Sequence, residues 1–196
     1  MDTIRITVAL HNKEAAEKIK YALSRSGYVV GEVCTSGGEA IRRVRGGSTD
    51  LLLINLEMPD MTGLEVATIL GDENLCSVIL FVSQEKRALC SDVISDYDIT
   101  LFNKPVNVST LLSTIEMVTQ NRRRMGRMER ELTALKQNLE NRKLVERAKG
   151  ILMKRKSISE GEAYRRIQKM SMDSRVAMKD IALKIIELSG EKLEEE

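Results

Sequence analysis

The sequence predicts an α/β fold: a doubly wound five-stranded parallel sheet, then a long coiled-coil helix and a C-terminal three-helix bundle. Three observations predict it. Short apolar runs alternate with amphipathic stretches over the first 120 residues. Three of those runs are continuously apolar, which is typical of strands covered on both faces. The strand signals stop near residue 120, and the rest of the chain is rich in helix-forming residues.

The first 120 residues contain five strand–helix units. Strands are predicted at residues 4–10, 28–34, 50–55, 77–82 and 99–102. Amphipathic helices are predicted at residues 13–26, 37–46, 63–70, 85–95 and 107–119. This alternation implies a parallel sheet with right-handed crossovers. Ligands and active groups in such sheets gather beyond the carboxyl ends of the strands.

The helix that follows carries a short apolar seam. Its residues recur at a 3–4–3–4 spacing and the stripe ends at Arg142; they are Met125, Met128, Leu132, Leu135 and Leu139. Two heptads are enough to pair two helices that are also held together elsewhere, so we expect a homodimer. The alternative is a single amphipathic helix packed on its own domain.

The C-terminal residues predict three short helices. The first continues to about Lys156, and the second begins at Ser159, with Glu162 completing a capping-box pattern. The third ends at Gly190. A small apolar core is predicted from Ile151, Leu152, Ala163, Ile167, Met170, Ile181, Ala182 and Ile185.

Charge separates the two halves of the chain. Residues 1–120 hold 11 Lys and Arg against 16 Asp and Glu, whereas residues 121–196 hold 20 against 13. The second half is therefore the candidate for a polyanionic partner. The absence of a long apolar run and of a secretion signal indicates a cytoplasmic protein with no membrane partner. Cys34, Cys76 and Cys90 lack metal-site spacing and are expected to be buried, neutral thiols.

Several segments of the first half resemble the receiver domains of response regulators. The stretches "RITVALHNKEAAEKIKYALSRSGYVVGEV", "LINLEMPDMTGLE", "LFVSQ" and "TLFNKP" match the receiver pattern from its first strand to its fifth. The resemblance implies a receiver-like, flavodoxin-like fold. It also implies a phosphoacceptor site with an acidic pair that binds Mg²⁺, an acceptor aspartate, a hydroxyl residue and a lysine.

The sequence departs from that pattern at the acceptor site. Leu10 and His11 stand at the acidic pair, Asn55 at the acceptor aspartate, and Leu101 at the aromatic switch position, whereas Ser83 and Lys104 match. An amide is too weak a nucleophile to attack a phosphoryl donor, and His11 is a poor ligand for a hard cation. We therefore expect a pseudo-receiver without metal or cofactor, in which Glu57 and Asp60 belong to a solvated turn.

The C-terminal run "ERAKGILMKRKSISEGEAYRRIQKMSMD" resembles the ANTAR family of transcription antitermination regulators. The resemblance implies a three-helix module that binds hairpins in leader transcripts and prevents terminator formation. Between residues 141 and 184 there are 13 Lys and Arg against 5 Asp and Glu, which suits phosphate binding. Candidate RNA-binding residues are Lys149, Arg155, Tyr164, Arg165, Arg166, Lys169, Arg175 and Lys179.

Two of these motif positions have competing interpretations. Tyr164, the only aromatic residue of the bundle, is either a loop-stacking residue or a helix-packing tyrosine. Gly150 lies in mid-helix, where glycine is unfavourable by about 1 kcal/mol relative to alanine. A close approach by another helix or by the RNA backbone would explain it.

These observations predict a dimeric RNA-binding antiterminator that is not an enzyme. Its parts are a pseudo-receiver domain (1–120), a coiled-coil linker helix (121–140) and an ANTAR domain (141–196). Regulation would come from a partner protein, a ligand or abundance. The competing hypotheses are a DNA-binding response regulator, a phosphotransfer enzyme, and a protein–protein adaptor that uses the pseudo-receiver and coiled coil.

Overall fold

The computed structural model describes residues 4–47, 49–94 and 97–190, with only the backbone described at 91–94. The chain divides into two compact units, Met1–Met125 and Gly126–Glu196. Each unit has its own apolar core. Among the described residues, none of the helices combines the length and the apolar character needed to cross a bilayer.

The first unit contains the predicted five-stranded parallel sheet. Its strands are β1 (Arg5–Ala9), β2 (Val29–Val30), β3 (Leu51–Asn55), β4 (Ser77–Val82) and β5 (Ile99–Asn103). They are arranged in the order β2-β1-β3-β4-β5. The inner strands β1, β3 and β4 are almost wholly buried. The apolar runs of β3 and β4 predict this burial, whereas β1 also contains the exposed Arg5 and the buried Thr7.

Helices cover both faces of this sheet. They are α1 (Lys13–Arg25), α2 (Gly37–Arg45), α3 (Gly63–Asp72), α4 (Arg87–Ile94) and α5 (Val108–Lys156). Ile41, Val66 and Leu70 of α2 and α3 pack in one apolar cluster. Leu23 of α1 and Leu111 of α5 pack in the cluster on the other face. The doubly wound arrangement is therefore confirmed.

The second strand differs from its prediction. A strand was expected over 28–34, but only two residues pair continuously with β1, through Arg5–Val29 and Ile6–Val30. Gly31 and Glu32 follow, and the chain pairs again only at an isolated bridge between Ala9 and Cys34. An edge strand lies against one neighbour only, so the sheet imposes a continuous ladder on it less strongly than on an inner strand.

The three cysteines are buried free thiols, as expected. Burial raises the pKa of Cys34 and Cys90, and it raises the pKa of Cys76 to about 12. A thiol in that state is protonated at neutral pH and is a poor nucleophile.

The second unit is built from the end of α5 and two further helices, α6 (Glu160–Ser174) and α7 (Met178–Ser189). The Ser159 hydroxyl accepts a hydrogen bond from Glu162 N at 3.3 Å, which confirms the predicted helix start. Gly190 closes α7 in the left-handed conformation, with φ 79°.

The bundle core contains most of the predicted residues, and one prediction is wrong. Met170 was expected in the core but is 45% exposed, because the buried face of α6 is defined by Ala163 and Ile167. Ala148 and Ile186 are core residues that the sequence pattern did not single out.

Candidate functional site

The carboxyl edge of the sheet brings together most of the residues predicted at the acceptor site. Leu10 and His11 follow β1, Asn55 ends β3, and Lys104 follows β5. These four residues line one cavity of about 450 Å³. Ser83 follows β4 but does not line the cavity, and Leu101 is half-buried within β5.

The cavity has mainly apolar walls. Leu10 is 8% exposed and Phe81 is fully buried, while His11 is exposed to solvent. The remaining lining residues come from α1 and from the segment after β5; they are Asn12, Ala15, Lys18, Ile19, Pro105, Val106 and Val108.

Only one of the two polar atoms of the Asn55 side chain forms a hydrogen bond with the described residues. Its Nδ2 donates to the Glu57 carbonyl oxygen at 2.9 Å. Its Oδ1 is buried and has no hydrogen-bond partner among the described residues. Gly63 allows the start of α3 to approach the end of β3 closely, because a Cβ there would lie 2.1 Å from the Asn55 backbone carbonyl oxygen.

Both carboxylates of the loop after β3 are engaged elsewhere. Glu57 forms a hydrogen-bonded ion pair with Lys86, which lowers the pKa of Glu57. Asp60 accepts hydrogen bonds from Gly38 N at 2.8 Å and Gly37 N at 2.7 Å, and these donors lower its pKa. The two side chains are exposed in the turn, as predicted, and their contacts also fix it.

In the second unit the basic side chains differ in their availability. Lys149 is 6% exposed, and its Nζ lies 2.7 Å from carboxylate oxygens of both Glu146 and Glu160. These hydrogen bonds raise the pKa of Lys149 and tie α5 to the start of α6. Arg155 donates to the carbonyl oxygens of Leu188 at 3.2 Å and Ser189 at 2.7 Å, at the end of α7.

The other basic candidates are more open. Arg165 donates to the Gly161 carbonyl oxygen at 3.1 Å, and Arg166 pairs with Glu162 at 2.9 Å, but both remain exposed. Lys169 and Arg175 are exposed as well. Arg175 also ends α6 in the left-handed conformation, with φ 53°.

A groove of about 450 Å³ lies beside Tyr164, which is 44% exposed. Lys179 also lines it. The sequence analysis did not include Asn141 and Arg142 among the candidate residues, although the interruption of the apolar stripe at Arg142 set that residue apart from the seam. The full lining is Asn141, Arg142, Val145, Glu146, Tyr164, Ala177, Met178 and Lys179.

Gly150 faces open space. A Cβ added at Gly150 would meet nothing within 4 Å among the described residues. The expectation that another helix of the chain approaches it closely is therefore wrong, because the bundle packs through Ala148 and Ile151 on either side of it.

The predicted seam lies on α5 as an exposed stripe. Met125, Met128, Leu132, Leu135 and Leu139 are between 53% and 66% exposed. Their spacing places them along one face of the helix.

Comparison with known proteins assigns both halves. The receiver domain of response regulators matches residues 6–116, and the ANTAR domain matches residues 133–186. The transcriptional regulatory protein PdtaR of Mycobacterium tuberculosis is 30% identical over 169 residues, covering 86% of this chain and 82% of PdtaR. The chain belongs to the ANTAR-domain response regulators.

Two further similarities agree with this family. The nitrate regulatory protein of Klebsiella oxytoca is 35% identical over 68 residues, covering 35% of this chain and 17% of that protein. The CheY-like receiver domain of Methanospirillum hungatei matches with a TM-score of 0.56 at 23% identity, over 63% of this chain and 99% of that one. The latter similarity shows the fold alone. PdtaR and the nitrate regulatory protein are regulators, and the ANTAR response regulator described here is accordingly a regulatory protein.

The receiver fold implies a magnesium ion, and the residues at this edge do not fit one. A hard cation needs several oxygen ligands, but Leu10 is apolar, Glu57 pairs with Lys86, and the Glu57 carbonyl accepts from Asn55. Within the described ranges, there is no group of three His, Cys, Asp or Glu residues that could hold a metal.

Acetyl phosphate with Mg²⁺ is expected to leave the protein mass unchanged, because no carboxylate at the end of β3 can accept the phosphoryl group. Asn55→Asp alone is also expected to give no adduct, because Leu10 and His11 still cannot hold the metal. Intact-mass spectrometry checks both, with a phosphorylatable receiver as positive control. A stable adduct on the Asn55→Asp protein would contradict this account of the site.

Proposed function

We propose that this ANTAR response regulator binds hairpins in leader transcripts through its second unit and thereby prevents terminator formation. The observation that carries the proposal is the groove beside Tyr164, where an exposed aromatic ring lies among Arg142, Lys179 and Asn141. Hairpin loops display unstacked bases that such a surface can bind, whereas an A-form stem hides its major groove.

Four of the lining residues supply three kinds of contact in this proposal. The Tyr164 ring stacks on a loop base, because every base has an aromatic face. Arg142 and Lys179 neutralise the flanking phosphates. The Asn141 side chain, which has both a donor and an acceptor, reads a base edge.

The remaining basic residues divide into two groups. We assign phosphate contacts to the exposed side chains of Arg165, Arg166, Lys169 and Arg175. Lys149 and Arg155, also candidates from the sequence, support the fold instead, since their charged groups are held by Glu146, Glu160 and the end of α7. Their loss would weaken RNA binding through the bundle rather than through a lost contact.

The exposed stripe on α5 pairs with the same stripe of a second copy. Five apolar side chains that are more than half exposed are costly to leave in water. Pairing covers them and joins two RNA-binding units in one dimer. Two joined units bind two hairpins with a higher overall affinity than either unit alone.

The first unit acts in this proposal as a receiver that is not switched by aspartyl phosphate. The neutral Asn55 and the apolar Leu10 support this assignment. RNA binding is therefore controlled by something other than phosphorylation at the end of β3.

A binding titration tests RNA recognition. The full chain is titrated with an RNA of two short-loop hairpins, with a scrambled RNA and with duplex DNA of the same sequence, at two salt concentrations. Tight binding of the first RNA, dependent on its loops, is expected. Equal binding of all three that collapses with salt would leave only a non-specific electrostatic interaction.

Variants of Tyr164 sharpen the same measurement. Tyr164→Ala is expected to weaken binding by roughly 5- to 150-fold, which corresponds to about 1–3 kcal/mol of stacking. Tyr164→Phe keeps the ring and is expected to bind nearly as the wild type does. Tyr21→Ala, which removes an exposed tyrosine of the first unit, is the control. Thermal unfolding of each variant separates lost stacking from lost folding.

Gly150 offers a test in which stability and binding move in opposite directions. Gly150→Ala is expected to stabilise the protein by about 1 kcal/mol, the difference in helix propensity, because the new Cβ meets nothing within 4 Å. If the RNA backbone passes this open position, the same variant binds RNA more weakly. Gly126→Ala, equally unobstructed on α5, is the matched control. Unchanged RNA affinity in both variants would show that Gly150 is not part of the RNA interface.

The double variant Leu132→Lys, Leu139→Lys is expected to be monomeric, because it places charges in the apolar seam. Analytical ultracentrifugation measures this, with Gln137→Lys as the control on the same segment of α5. Affinity for the two-hairpin RNA is expected to fall, and affinity for a single hairpin to stay the same. A dimer that survives the double variant would show that pairing does not depend on this stripe.

A further inference from the structure

We infer that the cavity at the carboxyl edge of the receiver sheet binds a small organic acid with an apolar body and a hydroxyl or amino donor beside its carboxylate. The site would take a 2-hydroxy acid or an amino acid with an apolar side chain. The inference rests on the cavity itself and is independent of RNA binding.

The size and the walls of the cavity suit such a molecule. Its volume of about 450 Å³ falls within the range of roughly 300–1,000 Å³ typical of small-molecule sites. Leu10, Ile19, Phe81 and Val106 supply an apolar surface for the body of the ligand. In a phosphorylatable receiver an acidic residue would occupy the position of Leu10. Its charge would repel an anion, and an apolar body would deprive it of hydration.

Charge selects an anion. Lys18 and Lys104 line the cavity, and its described lining includes no Asp or Glu. Lys18 pairs with Glu14 at 3.0 Å. Lys104 has no carboxylate within ion-pair distance in the described part of the chain, because nearby Glu57 is held by Lys86. Its ammonium group is therefore available to a ligand carboxylate.

Asn55 selects a hydrogen-bond donor. Its Oδ1 is buried, accepts no hydrogen bond from the described residues, and belongs to a side chain that lines the cavity. Leaving such an acceptor unpaired is unfavourable. A ligand O–H or N–H is therefore favoured once rotation of the Asn55 amide turns the Oδ1 toward the cavity. Asn55 thus favours a hydrogen-bond donor and Lys104 favours an anion. A carboxylic acid with an adjacent hydroxyl or amino group has both.

Calorimetric titration of the full chain tests the site with a defined panel. The panel contains 2-hydroxy and 2-amino acids with aliphatic or aromatic side chains. For each member it also contains the analogue without the donor and the amide without the carboxylate. At least one acid is expected to bind at millimolar concentration and to raise the unfolding temperature, while both of its analogues bind at least several-fold more weakly. Absence of binding by every member of the panel would overturn the inference.

Variants locate the binding. Lys104→Met is expected to weaken binding by roughly tenfold or more, the usual effect of losing a charge-assisted hydrogen bond, and Lys104→Arg to restore much of it. Asn55→Asp adds a negative charge beside the carboxylate and is expected to abolish binding. Ala15→Phe fills the cavity from an exposed position of α1 and is expected to block it without unfolding the chain. Lys20→Met, on α1 outside the cavity lining, is the control.

Binding that is equal in all of these variants would place the acid elsewhere and overturn the inference. RNA affinity measured on the same variants keeps this result separate from the proposed function. A cavity that binds no acid leaves loop-dependent RNA binding intact, and a failed RNA titration does not affect the calorimetry.

Discussion

Four adjacent parallel strands end at one edge of the sheet, and the charge of that edge determines what the first unit is able to do. In a parallel sheet the strand ends meet whatever their sequences are, so any carboxylates placed there are forced together and need a cation. Here the converse holds. Leu10 and Asn55 occupy two of these ends, and Lys104 lines an apolar cavity with no carboxylate within ion-pair distance among the described residues. The ligand proposed for this edge is accordingly an anion rather than a cation.

The sequence was sufficient to predict the sheet, since buried parallel strands need continuous apolar runs and those runs are visible. It was less informative about the edge strand and about helix faces that no other helix covers. The edge strand β2 is shorter than the run predicted over 28–34, and Met170 has the helical spacing of a core residue but lies on an open face of α6. Spacing along one helix does not report which faces the other helices leave uncovered.

The candidate sites show the same limit for charged residues. Composition identifies a basic segment, but it cannot separate a lysine that binds a partner from one that holds two helices together. Lys149 belongs to the second kind, because Glu146 lies one turn away on α5 and Glu160 begins the next helix. Arg142 differs from Lys149, because it first appears as an interruption of a seam and yet lines the groove beside Tyr164.

The loop after β3 is fixed independently of whatever occupies the edge. Asp60 caps the start of α2, and the Glu57–Lys86 pair holds the other side of the loop. These contacts already order the loop, so a phosphoryl group is not needed to order it. A signal that acts here must therefore work through the groups that remain unpaired, Asn55 Oδ1 and the Lys104 ammonium, or by filling the cavity. Because those groups are neutral and positive, the signal is better carried by a bound anion with a donor than by a covalent phosphate with its metal.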